Sequence, residues 1–156
     1  MDGGVYTDGS RIDDKTAAAT ITMGEFLGRY ATVMDADLLG VAMGWEIGDL
    51  GITDSQAAIG RIKNMQLDGA RGWVEQRAEA AASQIEKKIA WVKRHSGVMG
   101  NKLADLRAKK EVWKGSRPGS GDSDRDQARV QGNMEDRESS GVGPGAIEGA
   151  HLYLYR

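Results

Sequence analysis

The sequence contains no cysteine, and only two prolines and one phenylalanine occur among its 156 residues. Without cysteine the chain can form neither a disulfide framework nor a thiolate metal site, which fits a reducing compartment inside the cell, either cytoplasm or nucleus. The N-terminus lacks a basic segment followed by an apolar core, so no secretory signal is recognisable. No apolar run approaches the ~18 residues of a membrane-spanning helix, and no membrane partner is expected.

The chain also has little net charge. Its 21 Lys and Arg residues nearly balance 23 Asp and Glu residues, giving a formal charge of −2. This balance argues against strong non-specific binding to nucleic acid, which requires a basic surface. The 40% of apolar and 28% of charged residues are otherwise typical of a globular protein. The length favours one domain, which we expect to act as a monomer.

The C-terminal part of the sequence differs in composition from the rest. Gly, Ser, Asp, Arg and Pro dominate after Gly115. So few apolar side chains cannot offset the entropy that is lost on ordering. We therefore predict one folded domain over residues 1–114 and a disordered tail over 115–145. For the remaining segment, 146–156, a short helix and a disordered linker are the alternatives.

Alternation of β-prone and helical segments predicts an α/β fold with a five-stranded mixed sheet flanked by helices. Short links between the first three predicted strands favour antiparallel pairing. A helix then crosses over to a fourth strand, which should be parallel to the first. The predicted strands are 5–10, 17–23, 26–33, 50–55 and 89–93, and the predicted helices are 35–47, 56–65, 73–88 and 101–113.

The first predicted helix, with Asp35 as its expected N-cap, contains Gly40 and Gly44. Each glycine costs a helix about 1 kcal/mol relative to alanine. Two interpretations are open: the glycines permit close contact between helix and sheet, or the sequence has drifted.

Four aspartates stand at the ends of predicted elements. Asp8 and Asp54 end strands, whereas Asp37 and Asp105 lie near the starts of helices. Carboxylates that meet in one place repel one another unless divalent cations neutralise them, and hard oxygen ligands suit Mg²⁺ or Mn²⁺. The alternative is that Asp8 belongs to a turn and that Asp37 and Asp105 are solvated acids at helix ends.

Four segments of the chain resemble type 1 ribonuclease H domains, in particular those of fungal non-LTR retroelement reverse transcriptases. The resemblance spans about residues 4–113. The segments are Tyr6-Thr7-Asp8-Gly9-Ser10, the acidic helix start at 36–46, Thr53-Asp54-Ser55-Gln56, and Trp91 to Asp105. The last segment is the most specific, because His95, Asn101 and Asp105 keep the spacing of the family.

The resemblance implies a ribonuclease H-like fold and an endonuclease that hydrolyses the RNA strand of RNA–DNA hybrids. The reaction would use two Mg²⁺ or Mn²⁺ ions. By this resemblance Asp8 bridges both ions, Asp37 and Asp54 complete the first site, and Asp105 helps to hold the second. His95 assists proton transfer or product release.

The resemblance also implies contacts with the hybrid. Ser10, Ser55 and Gln56 match positions that contact its sugar–phosphate backbone in the minor groove, where the 2′-hydroxyl distinguishes RNA. Thr32 matches a position that contacts a phosphate of the DNA strand, and Asn101 one that positions the scissile phosphate or the loop. A reverse transcriptase domain in a parent polyprotein is the expected partner.

The chain departs from the family at the acid carried by the first helix. The family has Glu there, whereas the aligned residue is Asp37, which is shorter by one methylene or about 1.5 Å. Misplacement by about 1 Å can lower a rate ~100-fold. The basic extra helix that some members use to hold the hybrid is also missing between residues 66 and 73. Its absence, together with the low net charge, implies weak affinity for the hybrid unless a tethered polymerase domain supplies it. The Asp37 change and the glycines of its helix favour an alternative function, a catalytically impaired domain that serves as a structural or nucleic-acid-binding module.

Overall fold

Strands and helices succeed one another in the predicted order in the computed structural model, which describes residues 4–29, 31–69, 72–83, 85–115 and 151–155. The strands are β1 (Gly4–Ile12), β2 (Lys15–Thr20), β3 (Gly24–Gly28), β4 (Leu50–Thr53), β5 (Lys87–Trp91) and β6 (His151–Tyr155). The helices are α1 (Val33–Ile47), α2 (Gln56–Asp68), α3 (Trp73–Ala82) and α4 (Met99–Gly115).

The strands form one mixed sheet in the order β3-β2-β1-β4-β5-β6. β2 pairs antiparallel with both β1 and β3, whereas β4 pairs parallel with both β1 and β5. The predicted five-stranded mixed sheet is therefore confirmed, and it has the ribonuclease H-like arrangement. Tyr6 lies opposite Ile52 in the last pair of the parallel ladder, so Asp8 and Asp54, each two residues further on, lie side by side where this pairing stops. Asp54 follows β4 as predicted, but Asp8 does not end its strand, because β1 continues along β2 to Ile12.

Helices cover both faces of the sheet. Val5 and Thr7 point towards α1, whereas the ring of Tyr6, on the opposite face of β1, lies against Gly100 of α4. The main core lies on the α1 face, where Trp45, Leu38 and Leu39 are almost completely buried. A smaller cluster, which includes Tyr6, lies on the other face: Ile52, Ala90 and Val92. None of the described helices is long and apolar enough to cross a membrane.

Glycines bring α1 unusually close to β1. A Cβ atom at Gly44 would lie 2.8 Å from Cγ2 of Thr7, and one at Gly40 would lie 3.2 Å from the carbonyl oxygen of Asp8. On the strand, a Cβ atom at Gly9 would lie 2.5 Å from the backbone nitrogen of Asp37. The first interpretation of the helix glycines is therefore correct: they permit close contact between helix and sheet.

The N-terminus of α1 differs from the prediction, because its N-cap is Thr32 and not Asp35. The Thr32 hydroxyl accepts a hydrogen bond from the backbone N–H of Asp35 at 3.1 Å, and the Asp35 carboxylate accepts one from the N–H of Thr32 at 2.9 Å. This reciprocal capping box satisfies two backbone donors that the helix leaves free. The predicted strand over 26–33 accordingly ends at Gly28, whose φ of +94° suits glycine.

Two further predictions concern the C-terminal half. The helix predicted over 73–88 ends at Ala82, because Lys87 and Lys88 belong to β5. The C-terminal segment, expected to be a helix or a linker, contains strand β6, which pairs antiparallel with β5. Its alternating, aromatic sequence suits a strand, and β5 would otherwise be an unpaired edge. Most of the tail predicted to be disordered, residues 116–145, lies outside the described residues.

The contact between α1 and β1 predicts opposite effects of two Gly→Ala substitutions in helices. Gly44→Ala is expected to lower the free energy of unfolding by about 1–2 kcal/mol, because its methyl group overlaps the buried Thr7. Gly60→Ala in α2, where no atom lies within 4 Å of the added Cβ, is expected to raise it by about 0.5–1 kcal/mol through helix propensity. Urea denaturation measures both. A Gly44→Ala protein as stable as the wild type would show that the contact is not tight.

Candidate active site

The four predicted carboxylates come from four different elements. Asp8 lies in β1, Asp37 in α1, Asp54 directly after β4, and Asp105 in α4. Asp8 and Asp37 are each 4% exposed and Asp54 is 8% exposed, whereas Asp105 is partly exposed. The other three carboxylates are near enough to act electrostatically on Asp8. The fold therefore brings the four predicted side chains together around Asp8.

One backbone N–H joins two of these carboxylates. The N–H of Gly9 donates hydrogen bonds to Oδ1 of Asp8 and to Oδ1 of Asp37, each at 2.9 Å. Asp37 reaches this donor although its side chain is one methylene shorter than that of Glu, since the glycines let α1 lie directly against β1. The hydroxyl of Ser55 adds a hydrogen bond to Asp37, and it also accepts one from the N–H of Ala58 as the N-cap of α2.

Burial and mutual repulsion raise the pKa values of Asp8 and Asp37. Burial raises the pKa of Asp8 to about 9, with further contributions from the charges of Asp54, Asp37 and Asp105, against the lowering effect of the Gly9 N–H. Burial also raises the pKa of Asp37 to about 6, although its hydrogen bond from Ser55 opposes this shift. Without a bound cation, Asp8 is therefore a neutral carboxylic acid at neutral pH.

Basic and amide side chains contact the other two carboxylates. Arg94 donates from Nε and Nη2 to the two carboxylate oxygens of Asp54, at 3.2 and 3.3 Å. Asn101 donates from Nδ2 to Oδ2 of Asp54 at 3.0 Å, and Nζ of Lys109 lies 2.7 Å from Oδ2 of Asp105. The sequence prediction did not include Arg94 or Lys109. The available signal for Arg94 was its place next to His95 in the most specific segment.

A cleft of about 250 Å³ opens beside the carboxylates. Its lining includes Asp8, Asp54, Arg94, His95, Asn101 and Asp105. His95 is exposed, in a loop where its φ of +58° lies in the left-handed region. Asn101 is only 6% exposed, and its Oδ1 has no hydrogen-bond partner among the described residues. A buried acceptor left unsatisfied costs about 1–3 kcal/mol, so a ligand in this cleft would gain by supplying a partner.

The donor chemistry of the cleft fits Mg²⁺ or Mn²⁺, because these ions prefer carboxylate and amide oxygens. In the side-chain positions seen for the described residues, no three carboxylate or imidazole groups are arranged to hold an ion. Arg94 and Asn101 contact the oxygens of Asp54, and Lys109 contacts Asp105. The chemistry of the donor set thus fits a divalent ion, although the carboxylates are not arranged around one in these positions.

The four other residues predicted to contact the hybrid differ in their exposure and in their position relative to the cleft. Ser10, on β1 beyond Asp8, is 7% exposed and Ser55 is 6% exposed, whereas Gln56 is exposed at the start of α2. Thr32 is not among the residues that line the cleft, and its hydroxyl is engaged in the capping box. Its assignment to a DNA phosphate therefore has no support from the geometry of the cleft.

Comparison of the sequence with known proteins adds no relative: no protein-family model and no curated protein matches the chain. The fold and the arrangement of the side chains therefore carry the argument for function.

The raised pKa of Asp8 predicts how stability depends on pH. Its folded value of about 9 lies above the reference value of 3.8, so its contribution to stability is complete below pH ~4 and is lost as pH rises towards 9. In Asp8→Asn the side chain at this position does not ionise, so the stability does not fall for this reason as the pH rises. With EDTA present, its melting temperature is expected to exceed that of the wild type by about 5 °C at pH 8 and to differ less at pH 5.

Thermal unfolding at both pH values measures this difference. Asp14→Asn, at a side chain that is 55% exposed, provides the control and should keep the pH dependence of the wild type. An Asp8→Asn protein with the same pH dependence as the wild type would show that Asp8 is ionised in the folded protein.

Proposed function

We propose that this chain is a metal-dependent endonuclease that hydrolyses the RNA strand of RNA–DNA hybrids. One observation carries the proposal: Asp8, Asp54 and Asp105 line one cleft in a ribonuclease H-like fold, and Asp37 shares the Gly9 N–H with Asp8 beside it. Each carboxylate is supplied by a separate element, so their convergence is a property of the tertiary structure. The buried, unpartnered Oδ1 of Asn101 in the same cleft supports a ligand there.

Each carboxylate has a role in holding the two ions. Asp8, the most central of the four, would be a ligand of both ions; Asp37 and Asp54 would complete the first site, and Asp105 would help to hold the second. Mg²⁺ or Mn²⁺ bound there would supply Lewis-acid activation of water and stabilisation of the charge on the leaving oxygen. Asp8 gives up its proton when a cation replaces it, so metal affinity increases with pH.

Other side chains of the cleft handle protons and the substrate. His95, exposed on the loop before α4 and among the residues that line the cleft, has an imidazole that can accept or donate a proton there. The rim also carries Lys102 and Lys109, whose positive charges attract the phosphate backbone. Gln56, exposed directly after Asp54 and Ser55, is placed to contact the minor groove, where the 2′-hydroxyl marks RNA.

Binding of the hybrid is expected to be weak for this chain alone. The formal charge of −2 provides little general attraction for nucleic acid. A reverse transcriptase domain in the same polyprotein would supply the missing affinity. Such a domain would also deliver the substrate, since reverse transcription produces RNA–DNA hybrids.

Substitution of Asp54 provides the direct test. Asp54→Asn is expected to lower cleavage of a labelled RNA–DNA duplex in Mg²⁺ or Mn²⁺ by at least ~100-fold, because a neutral amide is a poor ligand for these ions. Asp14→Asn, at an exposed carboxylate away from the cleft, is the matched control and should cleave at the wild-type rate. Circular dichroism checks that both variants are folded. Wild-type cleavage by Asp54→Asn would remove this residue from the site.

Substitution of Asp37 separates an active enzyme from an impaired domain of the same fold. We expect the wild type to cleave the hybrid, and Asp37→Glu not to exceed it, because Asp37 already shares the Gly9 N–H with Asp8. The assay is the same duplex cleavage, with Asp14→Asn as the control. An inactive wild type that Asp37→Glu activates would instead support the structural or nucleic-acid-binding module.

A further inference from the structure

Arg94 forms a bidentate contact with Asp54, the carboxylate at the end of β4. Nε and Nη2 each approach a different carboxylate oxygen, at 3.2 and 3.3 Å. The two partners differ in accessibility, since the side chain of Asp54 is 2% exposed and that of Arg94 is 55% exposed. The pair therefore consists of a fixed, buried anion and a cation that reaches it from the solvent side.

The charge of Arg94 also acts on the neighbouring carboxylates. The hydrogen bonds and the charge of Asp54 raise the pKa of Arg94, and Asp8 and Asp37 add smaller contributions when they are ionised. In turn, the charge of Arg94 partly opposes the burial that raises the pKa of Asp37. The guanidinium therefore interacts electrostatically with Asp8, Asp37 and Asp54. These three carboxylates are the same ones that the proposed function assigns to the first divalent ion.

We propose that Arg94 is a resident counter-ion of Asp54, which a divalent ion displaces when it binds in the cleft. The inference rests on the proposed function, because it concerns the ion that this function requires. The guanidinium occupies one lone-pair site on each oxygen of Asp54 and places a positive charge beside it, so Arg94 competes with a divalent ion for this carboxylate and lowers the apparent affinity for the ion. Lys109 makes the equivalent contact with Asp105, but through one oxygen and one nitrogen.

Release of Arg94 requires little rearrangement. Its guanidinium has no hydrogen-bond partner other than Asp54 among the residues that the structure describes. The side chain is long and more than half exposed, so it can move into solvent without opening the core. Asn101 stays in place on Oδ2 of Asp54 and keeps this carboxylate oriented.

Direct measurement of Mn²⁺ binding to the full chain, without nucleic acid at pH 8, tests the inference. The free ion is quantified by electron paramagnetic resonance. Arg94→Gln is expected to bind Mn²⁺ about tenfold more tightly than the wild type, because it removes the competing cation. Lys93→Gln is the matched control: it removes one positive charge from the adjacent exposed position and should change the affinity little.

A measurement on the unaltered protein keeps the test independent of whether Arg94→Gln folds. In the nuclear magnetic resonance spectrum of the ¹⁵N-labelled wild type, the Nε–H signal of Arg94 should move to the position of a solvated arginine as Mg²⁺ is added. The signal of Arg77, which pairs with Glu25 and Glu46 away from the cleft, should not move.

The possible results separate this inference from the proposed function. Equal or weaker Mn²⁺ binding by Arg94→Gln, or an Arg94 signal that does not respond while Mg²⁺ binds, overturns the counter-ion role. If the same protein still cleaves the hybrid, the proposed function survives. Absence of any Mn²⁺ binding to both wild type and Arg94→Gln overturns the two together.

Discussion

The close contact between β1 and α1 at Gly9 is the constraint on which the candidate site depends. No other residue fits there, since a Cβ atom would lie 2.5 Å from the backbone nitrogen of Asp37. The same closeness lets the Gly9 N–H reach both Asp8 and Asp37. Gly40 and Gly44 extend the contact along the helix, which offsets their cost in helix propensity. Three glycines thus determine how closely the Asp37 carboxylate approaches the N–H that it shares with Asp8.

Four carboxylates in one place repel one another, and this repulsion is reduced differently at different residues. Asp8, the most crowded, stays protonated, because burial and its neighbours raise its pKa to about 9. Asp54 is matched by the guanidinium of Arg94, and Asp105 by the ammonium group of Lys109. A proton and two basic side chains therefore do in the free protein what divalent ions do in the proposed enzyme. The pH dependence of stability expected for Asp8 and the competition proposed for Arg94 therefore have the same cause, the crowding of these carboxylates.

The order of strands and helices was readable from the sequence because each element carries a local signal. Hydrophobic periodicity, short links and glycine-rich turns depend only on neighbouring residues, and they predicted the mixed sheet confirmed in the structure. The predictions that failed did so for two different reasons. For the N-cap of α1, Asp35 and Thr32 can both cap a helix, and the reciprocal pair that they form was not recognised. For the segment before Arg156, the sequence suits a strand, but pairing with the distant β5 is what the local signal could not reveal.

The sequence by itself determined which residues could act: the four aspartates, His95 and Asn101 stand in recognisable segments at the ends of predicted elements. It also determined the element order that directs β1 and β4 to the same edge. Only the tertiary structure decided that Asp37 shares a hydrogen-bond donor with Asp8. It also decided that Arg94 contacts Asp54, and that Oδ1 of Asn101 has no partner among the described residues. Local propensities depend on adjacent residues. These distances depend instead on how closely α1 and the loop before α4 pack against the sheet, and hydrophobic periodicity carries no information on that packing.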